Sequence, residues 1–421
     1  MRRATAVTAL VALLLTAGSA WGYTLAERLY GNEITPADGR SLAMGEAGLA
    51  SADGVRGMAM NPALIAKTDG LQVGFSSLLI NAEEARNVPV HDSFDGVIVD
   101  NTYALNSALY DRYIGAVAYR SPNAGRWMPV VGLTYRPRLD MSYDYHVQYR
   151  DPDSQAEPED RIIEDYFLES DGGVDALTVT LGQTIVEDVH VGLGIDFLRG
   201  GFDVRERWVH PEDSEIDDAE SWSQFDDMSG SQVSLGFLYE RFHRLDIACV
   251  YRSGYTLDGD YEIRSAFGDT SEGGFEYEYP GTFVVGLEYH PRNEILTAVS
   301  LDVEFAQWSE FEDDLHGDPD FENTITYRLG VEHGFYDNSF ARFGFLYQPA
   351  YIDDGVTRTG FSAGLGLDVL GVRVDMGGQI GVREYDIEDV RYDFVNEEFV
   401  TVEARVRETT SRATVSVVHT F

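Results

Sequence analysis

The sequence contains one cysteine, Cys249, and one lysine, Lys67, among 421 residues. A single cysteine excludes an internal disulfide framework. Because no cysteine directly follows the N-terminal apolar run, a lipid-anchored lipoprotein is also disfavoured. Basic residues are few: 31 Lys and Arg stand against 72 Asp and Glu, which gives a formal net charge of -41. Nucleic-acid binding is therefore not expected, since phosphate neutralisation needs a basic surface.

Long apolar runs are confined to the N-terminus. Arg2 and Arg3 precede an apolar run over residues 4–17, and residues 20–22 fit the small-x-small rule for cleavage. This arrangement predicts a cleaved signal peptide over residues 1–22, and hence export. No other stretch approaches the roughly 18 consecutive apolar residues of a membrane helix. Two classes remain: a soluble secreted β-protein, and a membrane barrel whose apolar residues are spread over alternating strands.

Motifs of enzyme active sites are scarce. The 9 histidines form neither a His-x-x-x-His motif nor a cluster with cysteine of the kind that binds zinc. Gly-x-Gly pieces such as residues 364–366 lie in alternating segments, where small residues face a lumen or a neighbour, and do not form phosphate loops. We predict no enzyme activity, no catalytic residues, no cofactor and no metal site.

Alternation of apolar and polar residues is the dominant pattern in the chain. Val189, Val191, Leu193, Ile195 and Phe197 alternate with His190, Gly192, Gly194 and Asp196. Such a period of two predicts a strand with one apolar face, because successive side chains point to opposite faces. Strands are predicted at 70–81, 112–121, 128–149, 174–185, 189–208, 231–240, 246–264, 281–290, 295–308, 323–334, 339–348, 357–369, 372–384 and 402–421.

Short and long connections alternate between these segments. The long ones are predicted at 82–111, 150–173, 209–230, 265–280, 309–322 and 385–401. This alternation is typical of an up-and-down barrel with tight turns at one rim and longer loops at the other. The predicted fold class is therefore all-β: a transmembrane antiparallel up-and-down β-barrel of about 14 strands, in the outer membrane of a Gram-negative-type envelope.

Two blocks of the chain are strongly acidic. Residues 151–171 hold nine carboxylates and one arginine, and residues 212–227 hold eight carboxylates and no basic residue. We interpret both blocks as solvated loops. Clustered carboxylates also suit Ca²⁺, but neither block has the spacing of an EF-hand. Cation binding by these loops is left open.

The chain ends on an aromatic residue, Phe421, at the end of an alternating strand. This ending resembles the C-terminal signature of bacterial outer-membrane barrels, and in those proteins the barrel assembly machinery reads the signature. The expected surroundings are therefore the lipid bilayer, lipopolysaccharide and that assembly machinery. We expect the barrel to be a monomer.

The segment over residues 23–69 does not alternate. It carries a run rich in glycine and small residues over positions 40–50, and then Asn61, Pro62 and Ala63. Its helix-compatible pieces are broken at Pro62. Such a segment cannot cross lipid, because irregular backbone would leave polar groups unpaired there. It can lie inside or beneath a barrel as a plug.

Three stretches resemble the FadL-type family of outer-membrane long-chain fatty-acid transporters. They are Arg-Ser-Leu-Ala-Met-Gly-Glu-Ala-Gly-Leu-Ala at 40–50, followed by Asn-Pro-Ala at 61–63; Tyr-Pro-Gly-Thr-Phe-Val-Val-Gly-Leu-Glu-Tyr-His-Pro at 279–291; and Tyr-Arg-Leu-Gly-Val-Glu at 327–332. The resemblance implies a fourteen-strand barrel with an N-terminal hatch, which after the signal peptide at 1–22 places the hatch at 23–69 and the barrel at 70–421. It also implies passive uptake of hydrophobic molecules such as long-chain fatty acids.

The same resemblance suggests functional residues. Asn61, Pro62 and Ala63 match the family's hatch motif and are carried over, with Gly45, as candidates for plugging or gating. The alternative is that Asn-Pro merely starts a turn and ends a helix.

This chain departs from the best-known fatty-acid members of the family in its large acidic loops and its near-absence of lysine. With one lysine in the chain, a carboxylate ligand would have to meet an arginine or a histidine. Arg328 and Arg373 are candidates for ligand contact, unless they pair with wall carboxylates such as Glu332 or Asp375.

Other functions are compatible with the same barrel. A PorV-type barrel, which acts in secretion or as a scaffold, has a similar fourteen-strand build and a similar N-terminal sequence. A general porin is disfavoured because the lumen is expected to hold a plug.

Overall fold

The computed structural model describes residues 30–51, 54–91, 97–121, 127–150, 161–212, 214, 216–292, 296–335, 339–369, 371–393 and 398–421. The predicted signal peptide lies outside these residues, so its presence and cleavage stay a prediction.

Most of the described chain is β-strand. The strands are β1 Asn32–Glu33, β2 Gly70–His91, β3 Val97–Arg120, β4 Val130–Asp140, β5 Tyr143–Arg150, β6 Ile162–Val186, β7 Val189–Val209, β8 Ala219–Phe242, β9 Leu245–Arg252, β10 Tyr255–Arg264, β11 Thr270–Tyr279, β12 Thr282–Tyr289, β13 Leu296–Ala306, β14 Glu312–Asp313, β15 Thr324–Phe335, β16 Ser339–Ala350, β17 Asp353–Val369, β18 Val372–Asp393 and β19 Glu398–Thr420.

These strands form one closed antiparallel sheet, because the last strand, β19, pairs with the first long strand, β2. β4 and β5 are two halves of one barrel strand, as are β9 with β10 and β11 with β12. The short strands β1, which belongs to the N-terminal segment, and β14 pair with wall strands without being part of the ring. The result is the predicted barrel of 14 strands.

The two faces of the strands are opposite in character. On β15, Ile325 and Tyr327 point outward and are 43% and 44% exposed, whereas Thr326 and Arg328 point inward and are buried. Apolar residues outside and polar residues inside are the reverse of a soluble protein and typical of a barrel surrounded by lipid.

Several predicted long loops are in fact strand. β2 and β3 extend through most of 82–111, β6 begins at Ile162, and β8 begins at Ala219. Likewise, β11 occupies most of 265–280, and β18 and β19 extend into 385–401. The prediction required an apolar face, which a strand needs only where it meets lipid.

The acidic blocks are affected by the same correction. Residues 162–171 and 219–227 belong to β6 and β8, so these parts are not loops. Residues 309–322 do form a connection, which contains the 3₁₀ helix Trp308–Glu310 and β14.

The hatch, described over residues 30–51 and 54–69, lies inside the ring. Its helix α1, Gly39–Ala43, contacts β16 to β19, and its 3₁₀ helix Pro62–Lys67 contacts β4 and β6 to β8. A further 3₁₀ turn spans Gly54–Arg56. None of the helices in the described part is both long and apolar enough to cross a membrane.

Candidate functional site

Glycines line the inner wall at the level of the hatch, close to the short turns. A Cβ atom built on Gly192 of β7 would clash with Pro62, and one built on Gly236 of β8 would clash with Asn61. We call the wall glycines with such contacts the glycine belt: Gly132, Gly182, Gly192, Gly236, Gly286, Gly330, Gly344, Gly364 and Gly377. The belt lets the backbone of the hatch approach the wall more closely than any larger residue would allow.

The Asn-Pro-Ala motif is held against β8. Asn61 caps the 3₁₀ helix, since its Oδ1 accepts a hydrogen bond from Ala63 N at 3.0 Å, and Pro62 is the first helical residue. The Nδ2 of Asn61 donates to Leu49 O at 3.0 Å and to Phe237 O at 3.3 Å. Pro62 therefore begins a helix instead of breaking one, because proline has no amide hydrogen to lose at that position.

Gly45 lies at the opposite side of the hatch, directly after α1. Its φ of 69° favours glycine, and a Cβ atom there would clash with the backbone of Phe345. Its amide donates to Ser362 Oγ at 2.8 Å, and that hydroxyl donates to Ala43 O at 3.0 Å. Ser362 belongs to a Gly-x-Ser-x-Gly stretch at 360–364, but it lies within β17 and not at a strand-to-helix elbow.

Charged groups also anchor the hatch, and sequence analysis did not identify them. Glu46 is buried, and its Oε1 lies 2.8 Å from Arg412 Nη1 and 3.9 Å from Arg358 Nη2. Burial opposes its ionisation, but Arg412, Arg358 and Arg328 outweigh that effect and lower the pKa of Glu46 to about 2. On β13, Asp302 Oδ2 accepts hydrogen bonds from the amides of Gly48 and Leu49 at 2.8 and 3.0 Å.

The two arginines predicted to contact a ligand lie in different places. Arg328 lines a polar cavity of about 50 Å³ beside the hatch, and its Nη2 lies 3.3 Å from Glu304 Oε1. Its partner is not Glu332, because four residues along one strand are about 13 Å apart. Arg373 pairs with Asp375 at 3.0 Å, as the alternative predicted, beside a cavity of about 370 Å³ near the short turns.

Three further arginines line the polar cavity together with Arg328, and each lies near a carboxylate. The N–O distances are 3.0 Å for Arg136 and Asp196, 2.8 Å for Arg138 and Glu33, and 3.8 Å for Arg252 and Glu304. Arg252 also donates to Met60 O at 2.7 Å, which ties the wall to the hatch. Arg252 and Arg328 share Glu304, so these four arginines lie near three carboxylates, and Glu46 and Asp302 also line the cavity.

Aromatic side chains fill the lumen on the other side of the hatch, away from the short turns. We call this set the upper cluster: Tyr30, Phe202, Phe225, Tyr255, Phe275, Tyr277, Tyr279, Trp308, Phe311 and Tyr351, with Leu139, Met141, Val174, Ala176, Leu198, Met228, Leu257 and Ala306. Its rings are in direct contact: the centroids of Trp308 and Tyr351 are 4.0 Å apart, and those of Phe202 and Phe225 are 4.4 Å apart. An apolar molecule in this region would meet rings on several sides.

The wall is interrupted between β3 and β4. All of residues 97–121 and 127–150 are described, yet the ladder joins only Gly115–Tyr119 to Val131–Tyr135. Beyond Tyr135, β4 bulges and turns inward, where Leu139 and Asp140 pair with the hatch strand β1. A cavity of about 420 Å³ occupies the resulting opening. Farther along, His146 N of β5 donates to Asn106 Oδ1 of β3 at 2.9 Å, so the wall closes again.

The opening leads to the upper cluster. Leu139 and Val174 line the cavity in the wall and also belong to the upper cluster. At the rim, Tyr135 and Asp111 face outward, and Tyr113 donates to Asp111 Oδ2 at 2.7 Å. The structure therefore has an apolar lumen region that adjoins a side opening, above a hatch packed tightly against the wall.

The C-terminal residue Phe421 is exposed at the end of the last strand. Its amide donates to Leu71 O at 2.9 Å, and its ring contacts that of His419 edge-on. Its role as an assembly signal stays a prediction.

Comparison with protein-family profiles and with curated protein sequences found no match. Solved structures do match. A FadL homologue from Pseudomonas aeruginosa has a TM-score of 0.67 and 13% identity, over 93% of this chain and 100% of that chain.

Two toluene transporters also match. TodX of Pseudomonas putida has a TM-score of 0.59 and 14% identity, over 90% of this chain and 97% of that chain. TbuX of Ralstonia pickettii has a TM-score of 0.58 and 14% identity, over 91% of this chain and 98% of that chain. Likeness at these identities concerns the fold, which agrees with the family that the sequence motifs indicated. The protein therefore has the fold of the FadL-type barrels.

Proposed function

We propose that this protein carries hydrophobic molecules passively from outside the cell into the outer membrane. The observation that carries the proposal is the side opening between β3 and β4, which adjoins the upper cluster. Two of the similar solved structures are toluene transporters, which supports a hydrophobic cargo. No catalytic step is part of the proposal.

The route follows from the two levels of the lumen. An apolar molecule that enters the upper cluster gains about 25 cal/mol for each Å² of apolar surface that it removes from water. The hatch obstructs the way toward the short turns, because it packs against the glycine belt and because buried ion pairs link it to the wall. The side opening is then the easier exit. In this scheme Asn61, Pro62, Ala63 and Gly45 act as a plug by holding the hatch against the wall.

The charges in the lumen bear on the class of cargo. Arg136, Arg138, Arg252 and Arg328 each lie close to a carboxylate, so an anionic headgroup would have to displace a partner from a buried pair, which is costly. Uncharged hydrocarbons should therefore pass more readily than long-chain fatty acids, which form the second candidate class.

A label in the opening tests the route. In a Cys249→Ser background, Asp111→Cys places the sole thiol at the rim of the opening, and a bulky maleimide attached in detergent should obstruct it. The matched control is Ile380→Cys, which faces outward on β18, away from the opening. After reconstitution into vesicles, the rates of transfer of radiolabelled toluene and of palmitate are measured.

We expect the labelled Asp111→Cys protein to transfer toluene several-fold more slowly than the labelled control, and palmitate to be slower than toluene in the unlabelled protein. Equal toluene rates in the two labelled proteins would overturn the lateral route. A secretion or scaffold role of PorV type predicts no transfer of either compound and a protein partner that co-purifies with the barrel.

A further inference from the structure

Two carboxylates face each other near the short turns. Asp246 of β9 and Glu288 of β12 are directly opposite in the ladder and lie on the same face. Like charges at directly opposed positions destabilise a sheet. Their proximity therefore calls for a compensating positive charge.

An imidazole completes the group. His290 follows β12, two residues after Glu288, and its Nε2 lies 3.2 Å from Glu288 Oε1 and 3.4 Å from Asp246 Oδ2. One ligand atom from each of the three residues can be chosen such that all lie within 4.8 Å of one another. The backbone amide of His290 donates to Arg244 O at 2.9 Å, which holds this turn against the neighbouring one.

We propose that Asp246, Glu288 and His290 bind a divalent transition-metal ion, with Zn²⁺ as the best fit. Zinc bonds to nitrogen and oxygen of about 2.0–2.2 Å put tetrahedral ligands about 3.3–3.6 Å apart. The two distances from His290 Nε2, 3.2 and 3.4 Å, are close to that range. One imidazole and two carboxylates supply nitrogen and oxygen donors of the kinds that zinc accepts, with water in the fourth position.

Neighbouring groups orient Glu288 for this role. Its other oxygen, Oε2, accepts a hydrogen bond from Ser300 Oγ at 2.8 Å and lies 3.7 Å from Arg40 Nη2 of the hatch. Oε1 is thereby directed to His290 and Asp246, and outer contacts of this kind orient metal ligands. Glu288 and His290 also line the cavity of about 370 Å³ near the short turns, which gives an ion a way in.

Such an ion would connect three parts of the protein. Asp246 lies near the start of β9, Glu288 lies near the end of β12 with His290 just after it, and Glu288 contacts the hatch through Arg40. The ion would hold together the β8–β9 turn, the β12–β13 turn and the hatch. This role does not depend on what the barrel transports.

Zinc titration of the full barrel in detergent tests the site. The protein is stripped with EDTA and titrated with Zn²⁺ by calorimetry in an excess of Ca²⁺, which occupies carboxylate-only sites. We expect about one Zn²⁺ per chain, and at least about tenfold weaker binding in His290→Ala and in Asp246→Asn. The matched control is His243→Ala, which removes an exposed imidazole from the β8–β9 turn and should bind as the wild type does.

Folding of each variant is checked by gel electrophoresis in SDS, in which a folded barrel migrates differently before and after heating. If both variants fail to fold, Co²⁺ added to the wild type decides: the site predicts visible absorption bands of four- or five-coordinate cobalt that Zn²⁺ abolishes. Undiminished Zn²⁺ binding in a folded His290→Ala protein, an equal loss in His243→Ala, or only six-coordinate Co²⁺ would overturn the proposal.

Discussion

The two levels of the lumen differ in what fills them. Near the short turns, the glycine belt meets the backbone of the hatch, and Gly192 and Gly236 leave no room for a side chain beside Pro62 and Asn61. Farther up, the upper cluster consists of large side chains such as Phe202, Phe225 and Trp308. Backbone packed on backbone forms a firm plug, whereas aromatic side chains can rotate and exchange contacts with an apolar guest.

The position of the wall opening fits this division. It adjoins the upper cluster through Leu139 and Val174, and the ladder between β3 and β4 is intact below it, at Gly115–Tyr119 and Val131–Tyr135. A molecule could therefore leave sideways without any movement of the hatch.

The largest effect is expected from Gly192→Val. Its Cβ would overlap the backbone of Pro62 and Ala63, which no rotamer change relieves, so the 3₁₀ helix Pro62–Lys67 must move away from β7. Overpacking in a well-packed core commonly costs about 1–3 kcal/mol, and more where backbone is displaced. We expect an unplugged lumen, seen as a several-fold rise in ion conductance in planar bilayers.

The control for this substitution is Gly378→Val. Gly378 lies on β18, and a Cβ atom there has its nearest neighbour, Arg412 O, at 3.8 Å. Its conductance should equal that of the wild type. A Gly192→Val barrel that folds and conducts no more than this control would contradict the idea that the glycine belt holds the hatch.

Glu46→Gln should loosen the hatch without a steric clash. It removes one charge from a buried group with Arg412, Arg358 and Arg328 and leaves guanidinium charge without its partner, a change that typically costs about 3–5 kcal/mol. Hydrogen exchange of the hatch amides, measured by mass spectrometry, should become much faster. Glu83→Gln, an exposed carboxylate on β2, is the control and should leave exchange unchanged.

The same contact has a defined pH dependence. The pKa of Glu46 is lowered in the folded protein, from an ordinary 4.5 to about 2. Its stabilisation is therefore complete above pH 4.5 and is lost as pH falls toward 2. Over that interval the protection factors of the hatch amides, which correct for the intrinsic slowing of exchange in acid, should fall in the wild type, whereas Glu46→Gln should show no such fall from this residue. Identical pH profiles would mean that Glu46 does not anchor the hatch.

The sequence predicted the strand segments whose outward faces meet lipid. Strands such as β15 were located because their outward residues must be apolar and their inward residues need not be. The upper part of β6 was missed because its outward face carries Asp165, Glu169 and Asp171 and is therefore not apolar. Periodicity identifies a strand in lipid, but it does not identify the same strand where it rises into water.

The site was predicted less completely, because closure of the barrel creates it. Gly45 and Ser362 are 317 positions apart, and only the ring brings them within 2.8 Å. The interruption between β3 and β4 is likewise a matter of pairing, which no local pattern records. The pairing of Arg373 with Asp375 could be predicted, since residues i and i+2 share a face of one strand.

The smallest effect is expected where the hatch meets the opening. Ile34 N donates to Arg138 O at 3.0 Å, next to the pairing of β1 with Leu139 and Asp140 of β4. Ile34→Pro removes this donor, and the loss of one such bond is worth about 1 kcal/mol. Ile34→Val keeps the donor and most of the packing, and so serves as the control.

If β1 keeps β4 turned inward, Ile34→Pro should let β4 return toward β3 and narrow the opening. Toluene transfer should then fall several-fold relative to Ile34→Val, although global stability changes little. β3 offers the same edge of β4 an alternative partner. The loss of a bond worth about 1 kcal/mol is therefore enough to shift the equilibrium between β4 paired with β1 and β4 paired with β3 about fivefold. Unchanged transfer, with faster amide exchange in β1, would mean that the opening is built into the barrel wall and owes nothing to the hatch.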